Sequence, residues 1–230
     1  MTYSPALLHL LRDRAGEVPE LVELSDESFY WNVEEAVRGQ FRSRSWLPEE
    51  ADWAAADARL VLDRLSDGWF GRGGPTSPQA RYADTPELRI GEGGRVNAEK
   101  PERGLWTACF FPSGQSTWDH GEMSLGRPVR VRHSVHYGES SVSVHVIDSP
   151  EDFARLVTRF PRPAADGRVR VDWDAVGEVH HAVHLTAKGL LTADRVPVTT
   201  PHGTAELWGW GSQSTVWLRL PDDARVVPGA

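Results

Sequence analysis

Cysteine is nearly absent from this chain of 230 residues, and the single one, Cys109, excludes both an intramolecular disulfide and a zinc site built on several thiolates. No apolar stretch approaches the roughly 18 residues that a membrane-spanning helix needs. The N-terminus lacks the basic and then apolar pattern of a secretory leader. From these absences we expect a soluble protein of the reducing cytoplasm that has no membrane partner.

Positive charge is in the minority, since 25 Lys and Arg stand against 33 Asp and Glu and give a formal net charge of −8. A field of this sign repels polyanions, which argues against a nucleic-acid partner, although a locally basic cleft is compatible with it. The P-loop pattern G-x-x-x-x-G-K-[ST] and the G-x-S-x-G nucleophile elbow are both missing. These absences exclude a P-loop nucleotidase and an elbow-type serine hydrolase.

Helical periodicity dominates the first 70 residues, where apolar side chains recur at spacings of three and four. Serine caps and prolines in the first turn indicate where such helices begin. The predicted helices run from Pro5 to near Gly16, from Asp26 to Arg42, and from Ser45 or Leu47 to Leu65. We therefore assign residues 1–70 to a helical N-terminal subdomain.

A segment rich in glycine and proline follows the predicted helices. Residues 71–80 read GRGGPTSPQA, with three glycines and two prolines, a composition that supports neither a helix nor an inner strand. We predict a linker or surface loop over 71–82.

Beyond the loop, the pattern changes to the alternation of apolar and polar residues that is typical of strands. A β-hairpin is predicted with its turn at Gly138-Glu139-Ser140. One face of its first strand has Val129, Val131, His133, Val135 and Tyr137, and the second strand has Val142, Val144 and Val146. Further predicted elements are a helix after Ser149, a short helix capped by Asp172 or Asp174, and strands at 168–171, 182–186, 190–193, 205–210 and 215–220. Residues 223–230 are predicted to be a frayed tail.

These elements predict an α+β protein, with a helical N-terminal region followed by a mostly antiparallel β-sheet core over 83–222. The chain has ten tryptophans, and two roles are open for those in the predicted core. The segments 93–118, 171–186 and 207–220 combine indoles with small polar residues at strand ends. The tryptophans of such segments either cover a ligand or pack against the sheet, and residue types alone favour neither role.

Histidines suggest a metal site as a separate hypothesis. His180 and His184 have the spacing that would place two imidazoles on one face of a helix. The residues around them are typical of a strand, where positions i and i+4 lie roughly 13 Å apart, too far for one zinc ion. We expect histidines that serve packing or an interface, with a His-based metal or small-molecule site as the alternative.

A series of short motifs resembles a family of uncharacterised bacterial proteins and, through it, the split-sheet fold of ADP-ribosyltransferases. The motifs are Lys100-Pro101, Gly104-Leu105-Trp106-Thr107, Trp118, the helix S-P-E-D-F-A-x-L, the block D-W-D-A-V, and W-x-x-x-S-T-x-W-L at 210–218. The similarity spans about residues 87 to 220. It implies a split variant of the antiparallel sheet and a site for NAD, used as a substrate.

The resemblance also implies roles for individual residues. Arg89 would be the early basic residue that holds ribose and phosphates, and Thr107 would occupy the hydroxyl-bearing strand. Trp106 or Trp118 would stack on nicotinamide, and Ser214 would lie beside the ribose site. The protein would then transfer ADP-ribose or hydrolyse NAD, which requires that these segments converge on one cleft.

Gln213 departs from the pattern, because it stands where the family has a glutamate. A carboxylate stabilises the positive charge that develops when the nicotinamide bond breaks, and a neutral amide cannot. Glu206 is the nearest upstream carboxylate that could replace it, if a bulge changes the register. The alternative is a catalytically inactive member of the fold that binds a protein partner as a regulatory or immunity protein.

Overall fold

The computed structural model describes residues 3–42, 54–91, 100–101, 103–121, 123 and 130–228. The helices in these ranges are α1 (Pro5–Asp13), α2 (Val18–Val22), α3 (Asp26–Arg42), α4 (Ala55–Arg64), α5 (Pro150–Arg159), α6 (Trp173–Val179) and α7 (Ala187–Thr192). The strands are β1 (Gln79–Ala83), β2 (Leu105–Cys109), β3 (Val131–His136), β4 (Val144–Ile147), β5 (Pro161–Pro163), β6 (Val169–Val171), β7 (Ala182–Leu185), β8 (Pro197–Thr200), β9 (Gly203–Glu206), β10 (Ser214–Trp217) and β11 (Arg225–Val227).

Local capping explains where several helices begin. The Ser4 hydroxyl accepts a hydrogen bond from the Leu7 amide at the start of α1, and Ser149 does the same for the Asp152 amide at the start of α5. The helix α3 has the bounds that its periodicity predicts. For α4, the predicted start at Ser45 or Leu47 lies outside the described residues. No helix in the described ranges is both long and apolar enough to cross a bilayer.

Seven strands form the central sheet, in the order β11-β3-β1-β2-β10-β7-β4. All neighbours are antiparallel except β4 and β7, which are parallel. Two small sheets, β5–β6 and β8–β9, complete the architecture. Buried residues of α1, α3 and α4 share one hydrophobic core with those of β7 and β10, so the N-terminal helices pack as a layer of the same body. The predicted α+β class with a mostly antiparallel sheet is confirmed.

The predicted hairpin is wrong. The strand β3 pairs with β1 and β11, whereas β4 lies at the opposite edge of the sheet beside β7. Between them, residues 139–141 form a 3₁₀ turn, and the Gly138 amide donates to the Asp223 carboxylate at 2.8 Å. Alternation in the sequence identifies strands, but partners this distant in sequence are set by the tertiary core. Val129 lies outside the described residues.

Three further predictions are corrected. The predicted loop over 71–82 contains most of β1, an inner strand, because regular pairing begins at Gln79, directly after the last proline. The predicted strand at 190–193 is helical, since Thr186 caps α7 through the Gly189 amide at 2.9 Å. The predicted frayed tail includes β11, which pairs with β3. The two strands take their structure from tertiary neighbours, whereas α7 begins at its own local cap.

Candidate functional site

The central strands have two faces with different contents. Residues directly opposite each other on antiparallel neighbours share a face, and adjacent residues of one strand point to opposite faces. Thr107 on β2 is paired with Thr215 on β10, which is paired with His184 on β7. Trp106 is paired instead with Val216. The side chains of Trp106 and Thr107 are therefore separated by the sheet.

A cleft of about 410 Å³ lies over the ends of β1, β2 and β10, within the range of small-molecule sites. Its lining has four aromatic side chains, which are Tyr82, Trp106, Trp118 and Trp210. It also has four basic residues, which are Arg81, Arg89, Lys100 and Arg130. No carboxylate is among the described residues that line it. In a chain whose net charge is −8, this is a locally basic and aromatic surface.

Hydrogen bonds hold the aromatic walls in place. The Trp118 indole N–H donates to Ser214 Oγ at 3.0 Å, and its ring stacks on Tyr82 with centroids 6.1 Å apart. The Tyr82 hydroxyl is itself bonded to Ser116 Oγ and to the Asp119 carboxylate. Burial is the main reason why the pKa of Tyr82 lies above its ordinary value, so the phenol remains a neutral donor. These contacts thus fix the position of this wall.

The opposite wall is formed by Trp106 and Trp210, whose rings meet edge to face at 4.7 Å. Trp210 is 1% exposed, and its indole N–H has no hydrogen-bond acceptor in the described part of the chain. A buried donor without a partner costs free energy that an acceptor can recover. Because this N–H is itself buried, Trp210 contributes to the wall through its ring contact with Trp106.

Two of the basic residues, Lys100 and Arg89, lie at the exposed rim of the cleft. The Lys100 ammonium donates to the Gly209 carbonyl at 3.0 Å and lies 5.4 Å from the centre of the Trp106 ring. Arg89 forms an ion pair with Glu87 at 2.7 Å while 79% of its side chain is exposed. Both contacts are weak at a hydrated surface, so the cations can exchange them for an anionic ligand.

Thr107 belongs to a buried network on the other face of the sheet. Its hydroxyl donates to Gln79 Oε1 at 2.6 Å and accepts from the Trp217 indole at 3.0 Å. Gln79 Nε2 donates to Thr215 Oγ1 at 2.8 Å, which lies 2.9 Å from His184 Nδ1. Thr215 Oγ1 accepts from Gln79, so its own proton is available to His184. Burial lowers the pKa of His184 to about 3, and the imidazole is neutral at pH 7.

Gln213 also lies away from the cleft and joins three elements of the fold. Its backbone N–H donates to the Tyr30 hydroxyl at 2.6 Å, and its backbone carbonyl accepts from Thr117 Oγ1 at 3.0 Å. Its side-chain oxygen accepts from the Ala187 amide at 3.1 Å, at the start of α7. With these contacts, Gln213 is 7% exposed and acts as a structural tie.

The structure brings together Arg89, Trp106, Trp118 and Ser214 of the residues predicted for a site. Thr107 and Gln213 lie elsewhere, so the requirement that they share a cleft with Arg89 is not met. Glu206 lies on β9, where its carboxylate forms an ion pair with Arg168 at 3.5 Å. It is also outside the lining of the cleft. For Thr107 the reason is alternation, because Trp106 and Thr107 point to opposite faces of β2. Glu206 lies in the separate sheet β8–β9, and Gln213 precedes β10.

Sequence reasoning did not assign Lys100, Arg130 or Trp210 to the site. Lys100 and Trp210 belong to the motifs quoted above, and the glycines on both sides of Trp210 were a signal of close backbone approach. Arg130 had no such signal. It adjoins residues outside the described part of the chain.

The histidines lie in several separate environments. His184 is buried in the network, and His133 bonds the Ala83 carbonyl at 3.2 Å. The described residues contain no group of three or more His, Cys, Asp or Glu side chains that could hold a metal ion.

No protein-family model, curated protein or solved structure matches this chain. The resemblance to ADP-ribosyltransferases therefore stays a prediction from its short motifs.

Proposed function

We propose that the cleft binds a small anionic molecule that carries a flat ring, the class to which nucleotides belong. The observation that carries this proposal is the concentration of basic residues around indole walls in a chain of net negative charge. Aromatic side chains stack on nucleobases with about 1–3 kcal/mol per base. Cations at a rim add attraction for phosphate, with a strength that falls as salt increases.

NAD and ADP-ribose are the members of this class to test first, because the motif resemblance names them. Arg89 would contact the phosphates at the rim, and Trp106 or Trp118 would stack on a ring. These roles involve only residues that line the cleft.

Binding has more support than turnover. Cleavage of the nicotinamide bond is helped by a carboxylate near the anomeric carbon. The described lining of the cleft has none, and Gln213 and Glu206 lie outside it. Transfer or hydrolysis of ADP-ribose stays a prediction. A catalytically inactive regulatory or immunity protein is the alternative, and it would keep the same cleft.

Calorimetric titration of the full chain with ADP-ribose, NAD and adenosine tests the proposal. We expect ADP-ribose and NAD to bind at least about tenfold more tightly than adenosine at low salt, with the difference shrinking as salt is added. Equal affinity for adenosine, or no binding of any of the three, contradicts it. Nicotinamide release, measured on the same samples, separates turnover from binding.

A further inference from the structure

A second polar cluster lies at the edge of the sheet, where Ser143 leads into the edge strand β4. The Ser143 carbonyl accepts from the amides of His181 and Ala182, at 2.8 and 3.3 Å. The Ser143 amide donates to His181 Nδ1 at 3.0 Å, and its hydroxyl lies 3.0 Å from His180 Nδ1. Ser143 is thus held by two consecutive histidines that immediately precede β7.

The direction of one of these bonds determines a protonation state. A backbone N–H can only donate, so His181 Nδ1 must be an unprotonated acceptor. The neutral ring then carries its proton on Nε2, and a second proton would go to Nδ1. That proton would face the Ser143 N–H, so the imidazolium cannot keep the bond. Protonation of His181 and the hydrogen bond to Ser143 exclude each other.

Two neighbouring histidines, His145 and His180, lie so close together that protonation of both rings is unfavourable. The rings of His145, on β4, and His180 meet edge to face with centroids 5.7 Å apart. His145 Nε2 lies 3.2 Å from the Asp152 carbonyl, to which it donates, and His180 Nε2 is buried with no hydrogen-bond partner in the described part of the chain. Two imidazolium rings at this separation would repel each other.

Charged groups of the surrounding elements influence the protonation of these three histidines. From α5, Asp152 favours protonation of His145, whereas Arg155 and Arg159 oppose it, and Arg159 also opposes protonation of His180. From the segment after β10, Arg219 opposes and Asp222 favours protonation of His181. Burial is the largest cause in each case, and the pKa of all three histidines lies below the ordinary value.

We propose that the cluster of Ser143, His145, His180 and His181 is an acid-sensitive latch: protonation of His181 breaks its bond to the Ser143 amide, charge on His145 and His180 adds repulsion, and β4 loosens from β7. The folded state disfavours the added protons. The stabilisation from the closed latch is therefore complete above the unfolded histidine pKa of about 6.5, and it is lost as the pH falls through the lower folded values. The edge of the sheet opens in acid while its centre remains paired.

Amide hydrogen exchange of the full chain at pH 7.5 and 5.5, corrected for intrinsic rates, tests the latch. We expect protection of residues 143–147 to fall about tenfold more than that of β2 and β10, the internal reference for global unfolding. The variant His181→Asn offers a non-titrating acceptor for the Ser143 amide, and we expect it to remove most of this difference.

The matched control is His202→Asn. His202 Nε2 donates to the Thr158 carbonyl at 3.2 Å, a bond that an imidazolium keeps, so this variant should retain the full pH effect. Equal loss of protection at 143–147 and in β2, or an unchanged pH effect in His181→Asn, overturns the proposal. If His181→Asn does not fold, ¹⁵N shifts of the wild-type imidazole decide: a proton on Nδ1 at pH 7.5 also overturns it.

Discussion

The two faces of the central strands use adjacent residues for different purposes. On one face, Trp106 and Ser214 belong to a hydrated cleft with cations at its rim. On the other, Thr107, Thr215 and His184 form a buried polar network that excludes solvent. Residues that are neighbours in sequence thus belong to the cleft, where we propose binding, and to the buried network respectively. A function can therefore be assigned to a residue of a strand only when the face occupied by its side chain is known.

The largest effect is expected from breaking the buried network. Thr107→Val preserves shape but leaves Gln79 Oε1 and the Trp217 indole N–H without their partner. Two unsatisfied buried groups should lower the free energy of unfolding by about 3 kcal/mol, measured by urea denaturation. Thr107→Ser keeps the hydroxyl and is the control. If the valine variant is no less stable than the serine variant, the network is not a source of stability.

The same buried network should also make the free energy of unfolding depend on pH, through His184. The pKa of His184 is lowered to about 3 in the folded protein, so below pH 6.5 the unfolded chain binds a proton that the folded chain refuses. This group alone should reduce the free energy of unfolding by about 1.4 kcal/mol for each pH unit between these values.

Chemical denaturation at pH 6 and pH 5 measures that slope. Other groups contribute to it, so the comparison is with His184→Asn, whose amide oxygen can still accept from Thr215. The slope should be shallower in the variant. Identical slopes would show that His184 is protonated in the folded protein.

On the cleft face, a rim substitution should affect binding and leave stability unchanged. Arg89→Gln removes an exposed cation and should weaken ADP-ribose about fivefold, close to 1 kcal/mol, as expected for a hydrated contact. Arg59→Gln is the matched control, because Arg59 is similarly exposed on α4 and lies outside the cleft. Equal weakening in both variants would indicate a general charge effect instead of a site.

The sequence was most informative where structure is local. Ser4, Ser149 and Asp172 cap helices through their own side chains. The residues alone predict the two serine caps and leave Asp172 and Asp174 as alternatives for the third. Strand pairing was not accessible in this way, since β3 and β4 have alternating patterns but different partners on opposite sides of the sheet. The helix α7 was missed because a short apolar run fits a strand equally well.

The candidate site was predictable only in part, for a related reason. The motif resemblance assigns all six site residues by position, without regard to the face that each occupies. The fold places Arg89, Trp106, Trp118 and Ser214 together, and it places Thr107 and Gln213 elsewhere. Period-two alternation already separates Trp106 from Thr107. Gln213 precedes β10 and is held away from the cleft by its contacts with Tyr30, Thr117 and Ala187, which the sequence does not reveal.

The most direct test of the cleft uses the indole N–H signals of ¹⁵N-labelled protein during titration with ADP-ribose. The signals of Trp106, Trp118 and Trp210 should shift together with one dissociation constant. Trp217, on the opposite face and bonded to Thr107, should not shift. Saturable shifts confined to the three cleft indoles are the predicted result. Shifts at Trp217 without shifts at these three, or no saturable shift at any indole, would contradict the account.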